Sequence, residues 1–274
     1  MKAQSLTICL PNKGCDKKCA YCVSNMTPEV TPNIYRMGVN IRKVRMMAKL
    51  AGVACVLITG KGEPFMNWDD LFYFTTQFND FPLEVQTNGL RLLNRFEEND
   101  VKFLTQFSDL KFNVVAFSFD CMNDFQKFEK LFDYLDKEGI TVRVAMNVTS
   151  ILNAQDTFQR MIEECKRTKV RQFSLRRIMC PQRMSGGWGT RGWIEKFAPQ
   201  SLYYKYVEQM NEAGLDLVRE MVHGGRVYDY EGISVMHIDT CMQSCNRTND
   251  IRSLIFAEDG HMYTSWDTPA SIIF

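Results

Sequence analysis

The sequence lacks a large net charge of either sign, and it lacks any long apolar run. Its 33 lysines and arginines nearly balance 32 aspartates and glutamates, leaving a formal charge of +1. Such a balance gives no bulk attraction to nucleic acid or to a membrane surface. No apolar run approaches the roughly 20 residues that span a bilayer, and the residues after Met1 lack a signal-peptide apolar region. We therefore expect a cytoplasmic protein, with no membrane partner and no bulk nucleic-acid binding.

The chain also lacks internal repeats and low-complexity segments. Its 274 residues, 45% of them hydrophobic, suffice for one large domain or for one domain with an extension. Cysteine is not scarce, since there are 10 of these residues. In a chain expected in the reducing cytosol, they favour thiols or metal ligands over disulfides.

Three of the cysteines form a tight group directly after a short apolar run. Cys15, Cys19 and Cys22 have the spacing C-x3-C-x2-C, and the run at 6–10 before them predicts a first strand. Thiolates are soft ligands that suit zinc or an iron–sulfur cluster. Three ligands are one short of a closed tetrahedral site, so a cluster held this way would keep one iron open for a substrate or cofactor. A zinc-binding loop is the alternative.

Strand and helix patterns alternate through the next part of the chain. The strand patterns lie at 53–58, 83–86, 113–117, 141–145 and 172–175, and the helix patterns at about 40–50, 68–78, 92–107, 123–138 and 154–167. Together with the first strand, they predict a parallel α/β arrangement with right-handed crossovers. Six strands are too few for a closed eight-stranded barrel. We therefore predict an open, partial (β/α)6 barrel of the TIM type.

The pattern changes after residue 184. Four glycines and two tryptophans at 186–193 predict a mobile loop with aromatic anchors, a candidate lid. A helix is predicted at 200–221, and strands at 226–237 and 252–266, the second a hairpin that turns at 258–260. We therefore divide the chain into a core at 1–184 and a small α+β extension at 185–274.

Polar or glycine-rich residues end every predicted core strand. In parallel α/β folds, the chemistry collects at the carboxyl ends of the strands. The sixth strand ends in Arg176 and Arg177, of which only one can point inward. An inward arginine would clamp a carboxylate through two hydrogen bonds. The surrounding basic run at 166–183 is either a solvated face or a site for an anionic substrate.

The cysteine spacing, with Tyr21 before Cys22, resembles the C-x3-C-x-aromatic-C signature of the radical S-adenosylmethionine (SAM) superfamily. The resemblance covers residues 5–180 well. It implies a partial barrel, a four-iron four-sulfur (4Fe-4S) cluster on Cys15, Cys19 and Cys22, and SAM on the open iron. In that family the reduced cluster cleaves SAM to methionine and a 5′-deoxyadenosyl radical, which abstracts hydrogen from the substrate. The electron donor would be a flavodoxin or ferredoxin.

The resemblance also implies roles for the strand ends. Gly62-Glu63-Pro64 resembles the motif that binds the SAM amino group, although Lys61 separates two glycines that are often adjacent in the family. Ser118 and Asn147 resemble polar groups that reach the SAM ribose or carboxylate, and Arg176 suits the carboxylate. An ordinary turn is the alternative for the motif and for Asn147.

Two more strand ends have two interpretations each. The segment 87–89 resembles one found at the third strand of related enzymes, and it is equally a plain turn. Asp120 could reach SAM or cap the helix that follows it. Of the two polar residues that end the fourth strand, Ser118 is the one we favour for SAM.

The carboxyl-terminal part loosely resembles the molybdenum-cofactor cyclase and the SPASM or twitch extensions, in which cysteines hold an auxiliary iron–sulfur cluster. Cys241 and Cys245 would belong to it, but Ser265 stands where a third cysteine is expected. Three interpretations stay open. The extension has no cluster, or Cys180 or Asp267 completes a second cluster, or the two cysteines form a disulfide or a zinc site.

The resemblance specifies the chemistry more closely than it specifies the substrate. A small anionic or nucleotide-like molecule fits the basic residues after the sixth strand, and we favour it. The alternatives are a peptide, as for SPASM- or twitch-type maturases, and a glycyl-radical enzyme to be activated. Against a peptide, the cysteine motif begins at Cys15, with no recognition domain before it.

Two hypotheses from other classes of protein remain. An iron–sulfur protein of electron transfer or regulation would have four cluster ligands and no affinity for SAM. A catalytically inactive homologue acting as a binding module is disfavoured by the intact cysteines and by Glu63.

Overall fold

The computed structural model describes residues 2–274 except 182, 183, 185, 222–224, 239–250 and 267. Strands and helices alternate through its first part as β1 (Ala3–Leu10), α1 (Ile34–Leu50), β2 (Cys55–Gly60), α2 (Trp68–Gln77), β3 (Leu83–Thr87), α3 (Leu90–Glu97), α4 (Val101–Asp109), β4 (Val114–Phe119), α5 (Asn123–Lys137), β5 (Thr141–Val148), α6 (Phe158–Arg167) and β6 (Gln172–Arg177). Strands β1 to β6 pair in chain order and all in parallel. The predicted alternation of six strands with helices is confirmed.

The helix predicted at 92–107 is interrupted. It forms as α3 and α4, because Asn99 has a φ of 50°, which ends the first helix. The Asp100 carboxylate then accepts a hydrogen bond from the Phe103 backbone at 3.1 Å and begins the second helix. The apolar period continues through the break, so periodicity alone did not reveal it.

The remaining elements are α7 (Trp188–Phe197), α8 (Gln200–Glu212), β7 (Asp216–Glu220), β8 (Arg226–Tyr230), β9 (Ile233–Ile238), β10 (Ile251–Phe256) and β11 (Met262–Tyr263). The prediction of a mobile loop at 186–193 was wrong, since α7 begins at Trp188 behind Gly187, which has a φ of 75°. The helix predicted to reach 221 was too long. It ends at Glu212, because Gly214 has a φ of 68° and reverses the chain into β7.

The carboxyl-terminal strands extend the core sheet at both edges. The order is β11-β10-β1-β2-β3-β4-β5-β6-β9-β8-β7. Strand β10 is parallel to β1, and β9 is parallel to β6, so eight consecutive strands run in one direction. Strands β11, β8 and β7 are antiparallel to their neighbours. The predicted hairpin at 258–260 joins β10 to β11. The division at residue 184 stays a prediction, but the sheet is continuous across it.

Aromatic packing supports the ends of the central strands. Phe117 and Phe119 of β4 are fully buried against Phe125, Phe128 and Phe132 of α5. The ring centroids of Phe117 and Phe132 are 4.8 Å apart, and those of Phe119 and Phe125 are 5.2 Å apart. Burial of each such side chain stabilises the fold by about 1.5–3 kcal/mol. The residues that follow β4 are therefore held on a rigid support.

The opposite face of the central strands carries a partly buried ion pair. Arg143 of β5 donates to both carboxylate oxygens of Glu84 of β3, each at 2.6 Å, and to the side chain of Gln172 of β6 at 2.7 Å. The three side chains come from neighbouring or alternate strands of the parallel sheet. They link strands β3, β5 and β6 on the face away from the aromatic packing.

An Arg143→Met variant is expected to lower the free energy of unfolding by about 3 kcal/mol. The reason is that the Glu84 side chain, 10% exposed, would lose its cation and keep its charge. Urea unfolding measures the effect. The double variant Glu84→Leu/Arg143→Met is the control. It leaves no unpaired charge, so it should recover most of the lost free energy of unfolding. A single variant as stable as the parent would contradict the expectation.

Across the described ranges, no helix combines the length and the apolar content that crossing a bilayer requires.

Candidate active site

A cavity of about 760 Å³ lies at the carboxyl ends of the parallel strands. Its lining includes every residue that the sequence analysis assigned to the first cluster and to SAM, namely Cys15, Cys19, Tyr21, Cys22, Gly62, Glu63, Pro64, Ser118, Asn147 and Arg176. These residues come from the segments after β1 and β2 and from the ends of β4, β5 and β6. The parallel topology therefore brings together residues that are far apart in the sequence.

The cysteine loop presents its three thiols to this cavity. Cys15 is exposed, while Cys19 and Cys22 are half-buried. Burial raises the pKa of the Cys15 and Cys19 thiols. In the part of the chain that the structure describes, no three cysteine, histidine or acidic side chains are placed to hold one metal ion. The thiols line the cavity without converging, but three soft donors on one short loop are the ligand set of an open iron–sulfur cluster.

A polar network joins the cysteine loop to the strand ends. The Lys17 ammonium donates to the Asp120 carboxylate at 2.7 Å, and the Tyr21 hydroxyl donates to the same carboxylate. The Asn147 amide nitrogen lies 3.0 Å from both the Tyr21 oxygen and the Asp120 carboxylate. Burial alone would raise the pKa of Asp120, but the hydrogen bonds from Lys17 and Tyr21 hold it below its usual range. Asp120 therefore stays ionised at the centre of the network.

The structure does not support the interpretation of Asp120 as the cap of the helix that follows it. The carboxylate at the start of α5 belongs to Asp124, which accepts hydrogen bonds from the backbone of Asp120 at 3.1 Å and of Cys121 at 3.4 Å. The Asp120 side chain instead points to the cysteine loop. Ser118, which we favoured, lines the cavity.

Glu63 connects the ends of two strands. Its side chain is buried, and its carboxylate accepts hydrogen bonds from the Phe65 backbone at 3.2 Å, the Thr87 hydroxyl at 2.6 Å and the Asn88 backbone at 2.9 Å. Burial raises the pKa of Glu63 against the effect of these hydrogen bonds. The carboxylate thus serves the protein's own donors.

The segment 87–89 is a turn that also contacts the cysteine loop. Gly89 has a φ of 80° and begins α3, and its backbone donates to the Thr87 hydroxyl at 2.8 Å. The Asn88 side-chain amide donates to Asp16 at 2.7 Å and lies 3.5 Å from the Cys15 sulfur. Asn88 therefore forms part of the turn and also hydrogen-bonds to the cysteine loop.

The glycine motif packs directly on both ends of the cysteine loop. A Cβ atom on Gly62 would lie 2.4 Å from the Gly14 carbonyl oxygen, so only glycine fits there. The Glu63 backbone donates to that same oxygen at 2.9 Å. Lys61, which interrupts the glycine pair, donates to the Pro28 carbonyl, and its own carbonyl accepts from the Ser24 hydroxyl at 2.6 Å. Lys61 thus contacts the segment after the cysteines through both its side chain and its backbone.

The two arginines that end β6 both line the cavity, which the alternation of strand side chains did not predict. Arg177 is the last residue of the strand and donates to Gln200 at 2.8 Å. The Nε atom of Arg176 is buried and has no hydrogen-bond partner among the described residues. A buried donor at a cavity wall is ordinarily satisfied by a ligand or by water. Arg176 is therefore the arginine suited to an anion.

Helix α7 covers the cysteine loop. The Tyr21 and Trp193 ring centroids are 5.6 Å apart. A Cβ atom on Gly187 would lie 2.4 Å from the Asn25 carbonyl oxygen, which places the start of the helix against the loop. Ile194 of the helix shares a small apolar core with Met26. The segment predicted as a mobile lid is thus a packed helix over the site.

Most of the second predicted cluster site falls outside the part of the chain that the structure describes. Cys241, Cys245 and Asp267 lie outside the described residues. Cys180 packs on the apolar core beside α7, and Ser265 lines the main cavity. A second cluster stays a prediction.

Sequence reasoning missed several residues of the cavity wall. Thr7 and Ser253, from the adjacent strands β1 and β10, line it and share a hydrogen bond of 2.7 Å. Gln86, Arg252 and Trp266 line it as well. Polar residues at alternate positions of β1 and β3 were the available signal, because they mark an inner face that is not filled with apolar side chains.

No family model and no curated protein sequence matches the chain. Solved structures do resemble it, and the likeness confirms the predicted partial-barrel fold.

The structure of Streptococcus suis SuiB bound to precursor peptide SuiA matches with a TM-score of 0.60 and 13% identity, over 96% of this chain and 59% of SuiB. SuiB bound to S-adenosylmethionine matches with the same score and identity. The structure of anSMEcpe with bound AdoMet matches with a TM-score of 0.54 and 17% identity, over 96% of this chain and 71% of that one. The chain spans about three-fifths of the length of SuiB.

Proposed function

We propose that this protein is a radical SAM enzyme in which Cys15, Cys19 and Cys22 hold a 4Fe-4S cluster beside bound SAM. When bound, the cluster supplies the electron that cleaves SAM to methionine and a 5′-deoxyadenosyl radical, which takes a hydrogen atom from the substrate. The observation that supports this is the cavity itself. It joins three loop thiols, the glycine motif and an unsatisfied arginine donor within a fold shared with SAM-bound structures.

The residues of the cavity divide the binding of SAM among them. The backbone carbonyl of Gly62, a residue that lines the cavity, would accept a hydrogen bond from the SAM ammonium group, while Glu63 and Pro64 keep that turn in place. Arg176 pairs with the SAM carboxylate. Both amide hydrogens of Asn147 are directed at Tyr21 and Asp120, so its side-chain oxygen is the atom that would accept from a ribose hydroxyl.

A small anionic molecule is the substrate that the charges of the cavity favour. Lys61, Arg176, Arg177 and Arg252 line it, and Glu63 is the acidic side chain among its described lining residues. Glu63 already accepts three hydrogen bonds from the protein. SAM brings a single carboxylate, and the net positive charge of the described lining suits a second, acidic ligand.

A peptide is the second candidate substrate, because SuiB has been observed with a precursor peptide bound. In either case the electron would come from a flavodoxin or ferredoxin in the cytoplasm.

The test is SAM cleavage by the anaerobically reconstituted protein. With dithionite and SAM, we expect 5′-deoxyadenosine, quantified by chromatography, and a change in the cluster's electron paramagnetic resonance (EPR) spectrum when SAM is added. Enzymes that require their substrate first would still show the spectral change. A cluster-loaded protein that SAM leaves unchanged would instead be an iron–sulfur protein of electron transfer or regulation.

A further inference from the structure

The cysteine loop is held in place by a charged residue that belongs to none of the assigned binding groups. Lys17 lies between Cys15 and Cys19, and its ammonium is 2.7 Å from the Asp120 carboxylate. The two residues are 103 positions apart in the sequence. Asp120 directly follows β4, beside Asn147 of β5, because Phe119 and Met146 are partners in the sheet. The contact therefore anchors the loop to the carboxyl ends of two paired central strands.

The pair is more protected than an ordinary surface ion pair. The Lys17 side chain is 25% exposed and the Asp120 side chain 16%. Exposed pairs contribute little, but a shielded and hydrogen-bonded pair is stronger. Tyr21 and Asn147 donate to the same carboxylate, so the loss of Lys17 would leave Asp120 charged with fewer partners.

Lys17 also acts on the first cysteine through its backbone. Its N–H lies 3.4 Å from the Cys15 sulfur. One residue thus orients a thiol with its main chain and anchors the loop with its side chain. The adjacent Lys18 has the same charge and is exposed, and no Asp120 contact involves it among the described hydrogen bonds and ion pairs.

We propose that Lys17 is a positioning residue, and that its pairing with Asp120 holds the cysteine loop in its cavity-facing position before a cluster is bound. The role of the loop as a cluster site rests on the proposed function. The contact between Lys17 and Asp120, which we call the latch, is a property of the metal-free protein, so it can be tested separately.

The first measurement is alkylation of the metal-free protein by iodoacetamide, with labelling of Cys15, Cys19 and Cys22 followed by peptide mass spectrometry. Lys17→Met is expected to raise the labelling rate of the half-buried Cys19 and Cys22 about tenfold, because a charge-assisted contact no longer holds the loop closed, while the exposed Cys15 serves as an internal reference. Lys17→Arg should restore a rate near the parent's. Lys18→Met removes the same charge from the same loop, and it is expected to leave the rate unchanged.

Asp120→Asn should raise the rate to a similar degree, and the double variant Lys17→Met/Asp120→Asn should add little to either single change, since the two residues act as a pair. The melting temperature should shift by no more than a few degrees, which separates loop opening from unfolding. Labelling of Lys17→Met at the parent's rate, or equal acceleration by Lys18→Met, would overturn the proposal.

The second measurement uses the reconstituted protein. Lys17→Met is expected to lose iron to a chelator several times faster than Lys18→Met, and to show a smaller change in its EPR spectrum when SAM is added. If the parent neither binds SAM nor cleaves it, the proposed function fails while the alkylation result still decides the latch. If the chelator removes iron from the Lys17→Met and Lys18→Met variants equally fast, the latch has no part in holding a cluster.

Discussion

A Cys19→Ala variant is expected to lose the reconstituted cluster and to form at least about 100-fold less 5′-deoxyadenosine than the parent, since loss of even an outer-shell partner of a metal site costs 10- to 100-fold. The site has three thiols on one loop, so removing one leaves two ligands for a cluster that needs three. Iron and sulfide analysis together with the visible absorption spectrum measures the first effect, and chromatography of deoxyadenosine measures the second.

Cys121→Ala is the matched control for that experiment. Cys121 is likewise half-buried but lies at the start of α5, outside the lining of the cavity. Its variant should keep the iron content and the activity of the parent. Cys19 is only half-buried, so its variant is expected to fold, which circular dichroism can verify. Equal iron contents in the Cys19→Ala variant and the parent would contradict the assignment of the cluster to this loop.

Gly62→Ala is expected to weaken SAM binding by about 10- to 100-fold, because displacement of a binding group by about 1 Å can have an effect of that size. The added Cβ would lie 2.4 Å from the Gly14 carbonyl oxygen and 2.5 Å from the Asn12 side-chain oxygen. These atoms belong to the segment that leads into Cys15. The segment would have to move, and the hydrogen bond from the Glu63 backbone to Gly14 would lengthen.

Titration of the reconstituted protein with SAM, followed by the cluster's EPR spectrum, gives the affinity. Gly189→Ala is the control, because a Cβ atom there meets nothing within 4 Å. Its affinity for SAM should equal that of the parent. If Gly62→Ala bound SAM within twofold of the parent, the close approach between the motif and the cysteine loop would not matter for binding.

The sequence was sufficient for the alternating core, because buried strands and amphipathic helices of ordinary length have a local signature. It was not sufficient for the positions of β9 and β10. Their placement beside β6 and β1 depends on pairings between distant segments, which no local pattern contains. The helix after Gly187 was missed for a related reason, since its glycines disfavour a helix while the contact of Trp193 with Tyr21 favours one.

The residues of the candidate site were likewise predictable only in part. Its strand-end residues were predictable, because parallel topology gathers the carboxyl ends of strands. The partners of those residues were not. Lys17 and Asp120, and likewise Glu84 and Arg143, find each other only in the folded chain. Glu63 was predicted as part of the motif for the SAM amino group, but its three hydrogen-bond donors within the protein were not predicted.

The position of β10 beside β1 has a consequence for how the protein is made. Ala3 pairs with Ile251, so the first strand emerges from the ribosome long before its neighbour exists. At roughly 5–20 residues per second, the delay is on the order of ten to fifty seconds. Throughout that interval the cavity lacks the wall that contains Arg252, Ser253 and Trp266. The nascent chain can therefore expose its cysteine loop, but it completes the cavity around that loop only after Trp266 has been synthesised.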